Sequence, residues 1–402
     1  MKSDQNTFST AFLLLACLLG GLASGCAPKS NVKPNYSAPL PEGRAALRLM
    51  LPHQVPDLEA AWRDRDLDLT QAVQQSKRWY LYPSSKRGFP YSTSDREITH
   101  ALARASVERF AELLTNSRSA EQFRRQILEE FEVYESVGWN GQGIVLFTGY
   151  YAPEFDARLQ PDDDFKYPIH RRPDDLVTHP ETGKPLGQRL SDGSLGAYPS
   201  RAEIEDSGML AGTELAWLDS PLDAYVIHVN GSAKLLLPDG EVTYIGYDGK
   251  TDRPYTGLGR EVVREGLVEQ DALSLSALYE LQERNQSAIE RLIRRNENFV
   301  FFTEYDGASW PSGSLGVKVF PKASLATDKA VYPPGAVCLV DTKGVAVSGR
   351  KPRFFRFMVD QDTGGAIKAP GRADIYMGEG KEAETLAGGQ YAEGRLYYFF
   401  LK

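Results

Sequence analysis

Near the C-terminus two aspartates stand in surroundings suited to proton transfer. The run Phe354 to Val359 reads as a buried strand and is followed by an acidic patch, Asp360 and Asp362. Gly364-Gly365 then permits backbone angles that a side chain would forbid. A second short element follows, Ala373-Asp374-Ile375-Tyr376, in which one carboxyl lies between apolar neighbours at a strand start. Such an aspartate has two readings. It caps or hydrogen-bonds a turn, or it is a partly desolvated acid whose raised pKa lets it donate a proton. The second role fails for a carboxyl permanently ionised against a fixed arginine.

The 402 residues suggest two or three domains. Apolar content of 42% and charged content of 25% are those of a globular chain. A net charge of −8 argues against nucleic acid and against electrostatic attraction to anionic lipid. Of the three cysteines, Cys17 and Cys26 belong to the N-terminal region and Cys338 reads as a buried strand residue, so no disulfide framework is expected. The five histidines are scattered, with no His-Glu-x-x-His pair and no Cys-x-x-Cys, so neither metal nor cofactor is expected.

Positioning elements follow in chain order. Lys2 precedes the apolar run Ala11 to Gly20, too short for a comfortable membrane span, and the segment reads as a signal peptide over 1–26. It ends Leu22-Ala-Ser-Gly-Cys26, which resembles a bacterial lipoprotein processing site. Cys26 would become the lipidated N-terminus, and Ala27 after it favours the periplasmic face of the outer membrane. Residues 27–42 read as a tether. Helical patterns are expected over Leu58 to Tyr80, Ser94 to Leu114 and Ser119 to Val133. From Gly143 the texture turns to short strands. A capped helical turn is expected at Ser200 to Gly208, an alternating strand at Ala224 to Ser232, and a hairpin from Lys234 to Tyr247. Helices are expected over Asp271 to Arg284 and Gln286 to Arg295, then strands to the end.

An ordered set of motifs runs through the same region: Phe147-Thr-Gly-Tyr-Tyr-Ala-Pro153, Tyr167-Pro-Ile-His-Arg-Arg-Pro173, Ser200-Arg-Ala-Glu-Ile204, Leu215-Ala-Trp-Leu218, His228-Val-Asn-Gly-Ser232, Gly259-Arg260, Asn298-Phe-Val-Phe-Phe302, Gly316-Val317, Ser324-Leu-Ala-Thr-Asp328, Pro334-Gly335 and Gln361-Asp-Thr-Gly-Gly-Ala-Ile-Lys368. From about residue 145 onward the chain thereby resembles the membrane-bound lytic murein transglycosylase A family. The resemblance implies a mainly β fold with accessory helices: a double-psi β-barrel of six strands, a smaller inserted β domain, and a groove between them for a glycan strand. It implies residues 43–147 as N-terminal helices and first part of the barrel, 148–296 as the insert, and 297–402 as the barrel with the catalytic acid. The family's three aspartates match Asp328, Asp362 and Asp374, and its catalytic acid matches Asp374. Asn230, Ala233, Thr327, Ala369 and the run Gly249 to Arg253 depart from the family's usual residues; these bear on substrate contacts more than on the chemistry.

The implied reaction cleaves the bond from N-acetylmuramic acid to N-acetylglucosamine and closes a 1,6-anhydro ring, with Asp374 as acid and then base. Its nucleophile, the sugar's own C6 hydroxyl, brings a large entropic advantage. Asp362 would tune Asp374 by like charge or accept backbone amides of the Gly364-Gly365 turn; Asp328 would hold a barrel loop. Thr148, Tyr150, Tyr151, Asn230, Ser232 and Tyr247 are the candidate sugar contacts, while His228 reads as a satisfied core histidine. Two rivals stand beside this reading. One is a hydrolase with Asp374 as acid and Asp362 as base, their carboxyls roughly 6.5–9.5 Å apart. The other is a non-catalytic wall-binding lipoprotein. Expected partners are peptidoglycan glycan strands, the membrane through the lipid anchor, and a cell-wall synthesis or hydrolysis complex.

Overall fold

The computed structural model describes residues 33–402 apart from Glu181 and Asp271. The expected signal peptide, the Cys26 processing site, the first part of the tether and the first residue of the expected Asp271 helix lie outside the described residues.

The N-terminal segment places β1 (Leu47–Leu49), α1 (Leu58–Arg63), α2 (Leu67–Trp79), α3 (His100–Asn116), α4 (Ala120–Glu130), β2 (Phe131–Ser136) and β3 (Val145–Ala152). The single helix expected over Leu58 to Tyr80 is two. The first ends at the C-cap Asp64, and Asp66 caps the second by accepting from Leu69 N at 2.9 Å. The cap of α3 is Thr99, which accepts from Leu102 N. Ser94, where the helical pattern is expected to begin, lies ahead of the helix and accepts from Leu49 N at 2.9 Å. Helices α3 and α4 hold the barrel through Phe110 and Phe123, each set edge-on against Phe357 at 5.1 and 5.7 Å between ring centroids.

The insert contains β4 (Glu154–Asp156), α5 (Pro221–Asn230), β5 (Ser232–Leu236), β6 (Val242–Lys250) and β7 (Val300–Tyr305). Its main sheet has the order β7-β6-β5-β4, flanked by two smaller sheets and further helices. One expectation here is overturned: Ala224 to Ser232 is not a strand, because α5 covers most of it. Ser220 accepts from Asp223 N, Pro221 presets the first helical turn, and Gly231 ends the helix in the left-handed region at φ 75°. Those start and stop signals outweigh an apolar run that fits either period.

The C-terminal segment supplies β8 (Ser324–Ala326), β9 (Val337–Lys343), β10 (Arg353–Asp362), β11 (Arg372–Glu379), α6 (Gly380–Gly389) and β12 (Tyr391–Leu401). Helix α6 stands where the sequence reads only as strands and turns; Ala383, Leu386 and Ala387 form its buried face. The sheet order is β1-β2-β12-β9-β10-β8-β11-β3, and a further β12–β3 pairing closes it into a ring of six strands, with β1 and β2 extending off β12. Pairs β8–β10 and β11–β3 are parallel. Closure leaves no free edge within the ring. Strand β12 serves two partners in turn: Tyr391 to Gly394 pair with β3, and Tyr397 to Leu401 pair with β2. By sheet membership Ala152 is the last residue of β3 in the ring, and Tyr305 is the last of β7 in the insert's sheet.

Candidate active site

Four residues from four strands share one row across the barrel wall. Asp362 on β10 is in register with Ala326 on β8, Ala326 with Asp374 on β11, and Asp374 with Thr148 on β3. Directly paired residues present their side chains on the same face. Adjacent strands lie about 4.8 Å apart, so the two aspartate backbones stand roughly 10 Å from each other. Between them Ala326 contributes a single methyl group. Asp374 lies within β11, two residues past its start.

Asp374 is a buried residue, 8% exposed, and both its carboxyl oxygens are partnered. The Thr148 hydroxyl donates to Oδ1. Arg372 donates Nε to Oδ1 at 3.1 Å and Nη2 to Oδ2 at 3.3 Å, while Nη2 also reaches Thr148 Oγ1 at 3.1 Å. The carboxyl is thus ion-paired, not desolvated and alone as the sequence reading supposed, and the partner was missed. Its signal was present: residues i and i+2 of a strand share a face, which sets Arg372 beside Asp374. The arginine side chain keeps 27% of its surface in solvent, against 12% for the aspartate.

Asp362 accepts backbone N–H groups from Ser314 and Thr363, each at 2.8 Å, and not from the Gly364-Gly365 amides. Burial pushes its carboxyl up, and those amides, Tyr150 and Lys329 draw it back. Gly313 makes the approach possible, since a Cβ there would meet Gln361 O at 2.8 Å and Asp362 Cβ at 3.3 Å. Asp328 accepts from Ala330 N at 3.0 Å and Ala369 N at 2.7 Å, which ties two loops together and holds Ala369 at φ 62°. Asp360, the other member of the acidic patch, is fully buried. It accepts from Thr327 Oγ1 and Tyr398 Oη, each at 2.7 Å, and pairs with Lys329.

The aromatic pair Tyr150-Tyr151 divides by strand alternation. Tyr150 shares the face of Thr148; its buried hydroxyl points toward Asp362 without closing a hydrogen bond of normal geometry, and its ring lies 5.2 Å from that of Tyr376. Tyr151 turns to the opposite face and joins the main apolar core, so the structure does not bring it to the row. Gly149 sits on that opposite face too. A Cβ there would come within 2.7 Å of Ala387 Cα, so the glycine lets α6 lie against β3. Asn230, Ser232 and Tyr247 gather around Gly231 in the insert. Asn230 Nδ2 donates to Val226 O at the end of α5, Ser232 begins β5 opposite Gly246, and Tyr247 on β6 is 46% exposed. His228 is buried; its Nδ1 meets Arg201 Nη2 at 3.0 Å and Val300 N at 3.3 Å.

The arrangement holds one carboxyl between a hydroxyl donor and a partly exposed cation, with a second carboxyl two strands along. A family model described as the MltA specific insert domain matches residues 146–303, and one described as the 3D domain matches 323–400. Membrane-bound lytic murein transglycosylase A of Vibrio cholerae is 31% identical over 265 residues, which cover 65% of this chain and 66% of that protein, just under two thirds of its length. The Escherichia coli protein of the same name is 31% identical over 270 residues, covering 66% of this chain and 68% of that one. The crystal structure of Escherichia coli MltA with bound chitohexaose superposes at a TM-score of 0.67 and 25% identity, covering 92% of this chain and 99% of that one. With the carboxyl row built on the barrel and the matched insert lying between its strands in sequence, the chain belongs to the membrane-bound lytic murein transglycosylase A family.

Proposed function

We propose that this protein is a lytic transglycosylase of peptidoglycan, working on a glycan strand laid between barrel and insert. The observation that carries the proposal is the placement of Asp374 between Thr148 and Arg372, in a row with Asp362. In its acid form Asp374 gives its proton to the bridging oxygen. The bond from that oxygen to C1 of N-acetylmuramic acid breaks, and positive charge spreads over C1 and the ring oxygen. The C6 hydroxyl of the same sugar adds to C1, and the Asp374 carboxylate takes up the hydroxyl proton. This restores the acid and leaves a 1,6-anhydro end, with no water consumed. The Thr148 hydroxyl orients the carboxyl through both half-reactions. The Arg372 ion pair sets a condition: Asp374 enters as acid only when the guanidinium lets go. Asp362, held by two backbone amides, shapes the row and adds negative potential beside C1. Asp328 braces the loops below it. Tyr150, Tyr247, Ser232 and Asn230 are proposed as sugar contacts.

Digestion of purified sacculi with mass spectrometry of the products tests this. Anhydro-muramyl ends support it. Reducing ends favour a hydrolase, the reading suggested by two carboxyls flanking Ala326, and no soluble product favours a wall-binding protein. Asp374→Asn is expected to lower product formation by about a thousandfold or more, the scale of a lost general acid together with its base role. The melting temperature should stay within a few degrees, because the amide still meets Thr148.

We also propose that Cys26 is lipidated and anchors the protein to the periplasmic face of the outer membrane, within reach of the wall and its synthesis or hydrolysis complexes. Among the described residues no helix is long and apolar enough to cross a membrane. Accumulation of unprocessed precursor under globomycin would support the anchor, and a Cys26→Ala chain that still fractionates with the membrane would refute it.

A further inference from the structure

Asp374 is held by a partly exposed cation through long contacts. Arg372 contacts it at 3.1 and 3.3 Å, longer than the about 2.7–2.9 Å of a tight charge-assisted bond. Its third and fourth contacts, to Thr148 Oγ1 at 3.1 Å and Ala366 O at 3.4 Å, are of the same loose kind. Over a quarter of the arginine side chain is in solvent. The Lys329–Asp360 pair, its carboxylate two strands away on β10, shows the alternative: there the carboxylate has no exposure and two further hydroxyl donors fix it. The other charged or titratable groups facing Asp374 are Tyr150 on β3 and Asp362 on β10, with Lys329 acting on Asp362. None of these replaces Arg372 as a cation on Asp374.

We propose that a carboxylate on the substrate draws Arg372 away from Asp374, so that the glycan itself puts the acid into its working form. This rests on the transglycosylase reading. The carboxylate that qualifies is the lactyl group on C3 of the muramic acid being cleaved, because it is borne by the same sugar ring whose C1 must sit against Asp374. A planar guanidinium fork matches it with two parallel N–H bonds. Once Arg372 has changed partner, the Asp374 carboxylate is open to a proton delivered from solvent as hydronium and keeps the Thr148 contact. The lactyl group is a free carboxylate only where the stem peptide is absent; a peptide-bearing strand presents a neutral amide at that place. Arg372 is therefore a positioning residue that makes the peptide-free strand the preferred substrate.

The test compares two peptide-free oligosaccharides of alternating N-acetylglucosamine and N-acetylmuramic acid. One has free lactyl carboxylates and the other has each converted to its methylamide. Wild type is expected to turn over the acid form with kcat about tenfold above the amide, the size of one contact to a charged group. In Arg372→Gln the ratio should fall to about one, because kcat rises on the amide while KM rises on the acid form. Arg372→Lys should restore most of the preference. Equal kcat on both substrates in wild type overturns the inference, as does a ratio unchanged in a folded Arg372→Gln protein. Anhydro product from both substrates keeps the underlying reading intact in either case, whereas its absence from both in wild type removes the reading and the inference together.

Discussion

The insert and the barrel each bury a charged cluster, and they hold it in opposite ways. In the insert, Arg201 is 4% exposed and donates to Asn296 O at 3.2 Å, Asn298 O at 2.9 Å and His228 Nδ1 at 3.0 Å. Asn298 in turn donates to the carbonyls of Thr251 and Arg253. Those backbone carbonyls, in the segment that leads into β7, cannot swing away without moving the main chain, so the cluster is a fixed part of the insert's core. In the barrel row, Asp374 is satisfied by a hydroxyl and a part-exposed guanidinium, both carried on side chains and not on the main chain. Burial alone therefore does not mark a functional group. What separates the two clusters is whether the partners are exchangeable, since a group must shed a partner to meet substrate.

The largest expected effect tests the fixed cluster. Arg201→Ala leaves two backbone carbonyls without this donor and takes a partner from the buried His228 imidazole, and is expected to cost about 3–5 kcal/mol of stability. Chemical denaturation measures it; a loss under 1 kcal/mol would show that those partners are as replaceable as the ones on Asp374.

A second effect comes from His170, buried in the same domain with Nδ1 at 3.0 Å from Thr213 Oγ1. Burial pulls it down to about 4, with Glu214 opposing. The unfolded side chain titrates near 6.5, so between about pH 4 and 6.5 the unfolded chain binds more protons and stability falls as pH drops. Asp223, pushed up to about 6 by burial, acts with the opposite sign: its folded form binds more protons, so its contribution is lost as pH rises through that range. His170→Gln keeps Asp223, so the difference between the two proteins isolates the histidine. The variant should be less sensitive to acid by about 2–3 kcal/mol between pH 6.5 and 4. Parallel pH curves would mean that His170 is hydrated.

The exchangeable row should answer in rate and not in stability. Thr148→Val removes the hydroxyl and keeps the shape; kcat is expected to fall about tenfold with the melting temperature unchanged within a few degrees. A stability loss with an unchanged kcat would move Thr148 into the fixed class. The smallest effect belongs to Asp328→Asn. One of its two backbone contacts keeps an acceptor, so about 1 kcal/mol of stability is lost and the rate changes less than threefold. A collapse in rate matching Asp374→Asn would place Asp328 in the chemistry.

Much of this was readable locally. Capped turns such as Ser200 with Glu203, which bond reciprocally, and the Asp239-Gly240 hairpin were visible because their signals lie within a few residues. The helix at Pro221–Asn230 was missed because an apolar run fits both periods, and the cap signals that decide it were not weighed. Tyr151 was set beside Tyr150 because adjacency in sequence conceals the alternation of a strand.

By itself the sequence determined the inventory: an acidic residue among apolar neighbours, threonine and tyrosines on a strand, glycines where backbones must meet, and the ordered motifs of a family. Only the tertiary structure decided who stands beside whom. Thr148, Ala326, Asp362 and Asp374 form a row because β3, β8, β10 and β11 take one register, and that register is fixed by closing the ring through β12 and β3, which are far apart in the chain. A one-residue slip in any of those pairings would turn its side chains to the other face. No local pattern encodes such a choice; the simultaneous burial of all six strands does.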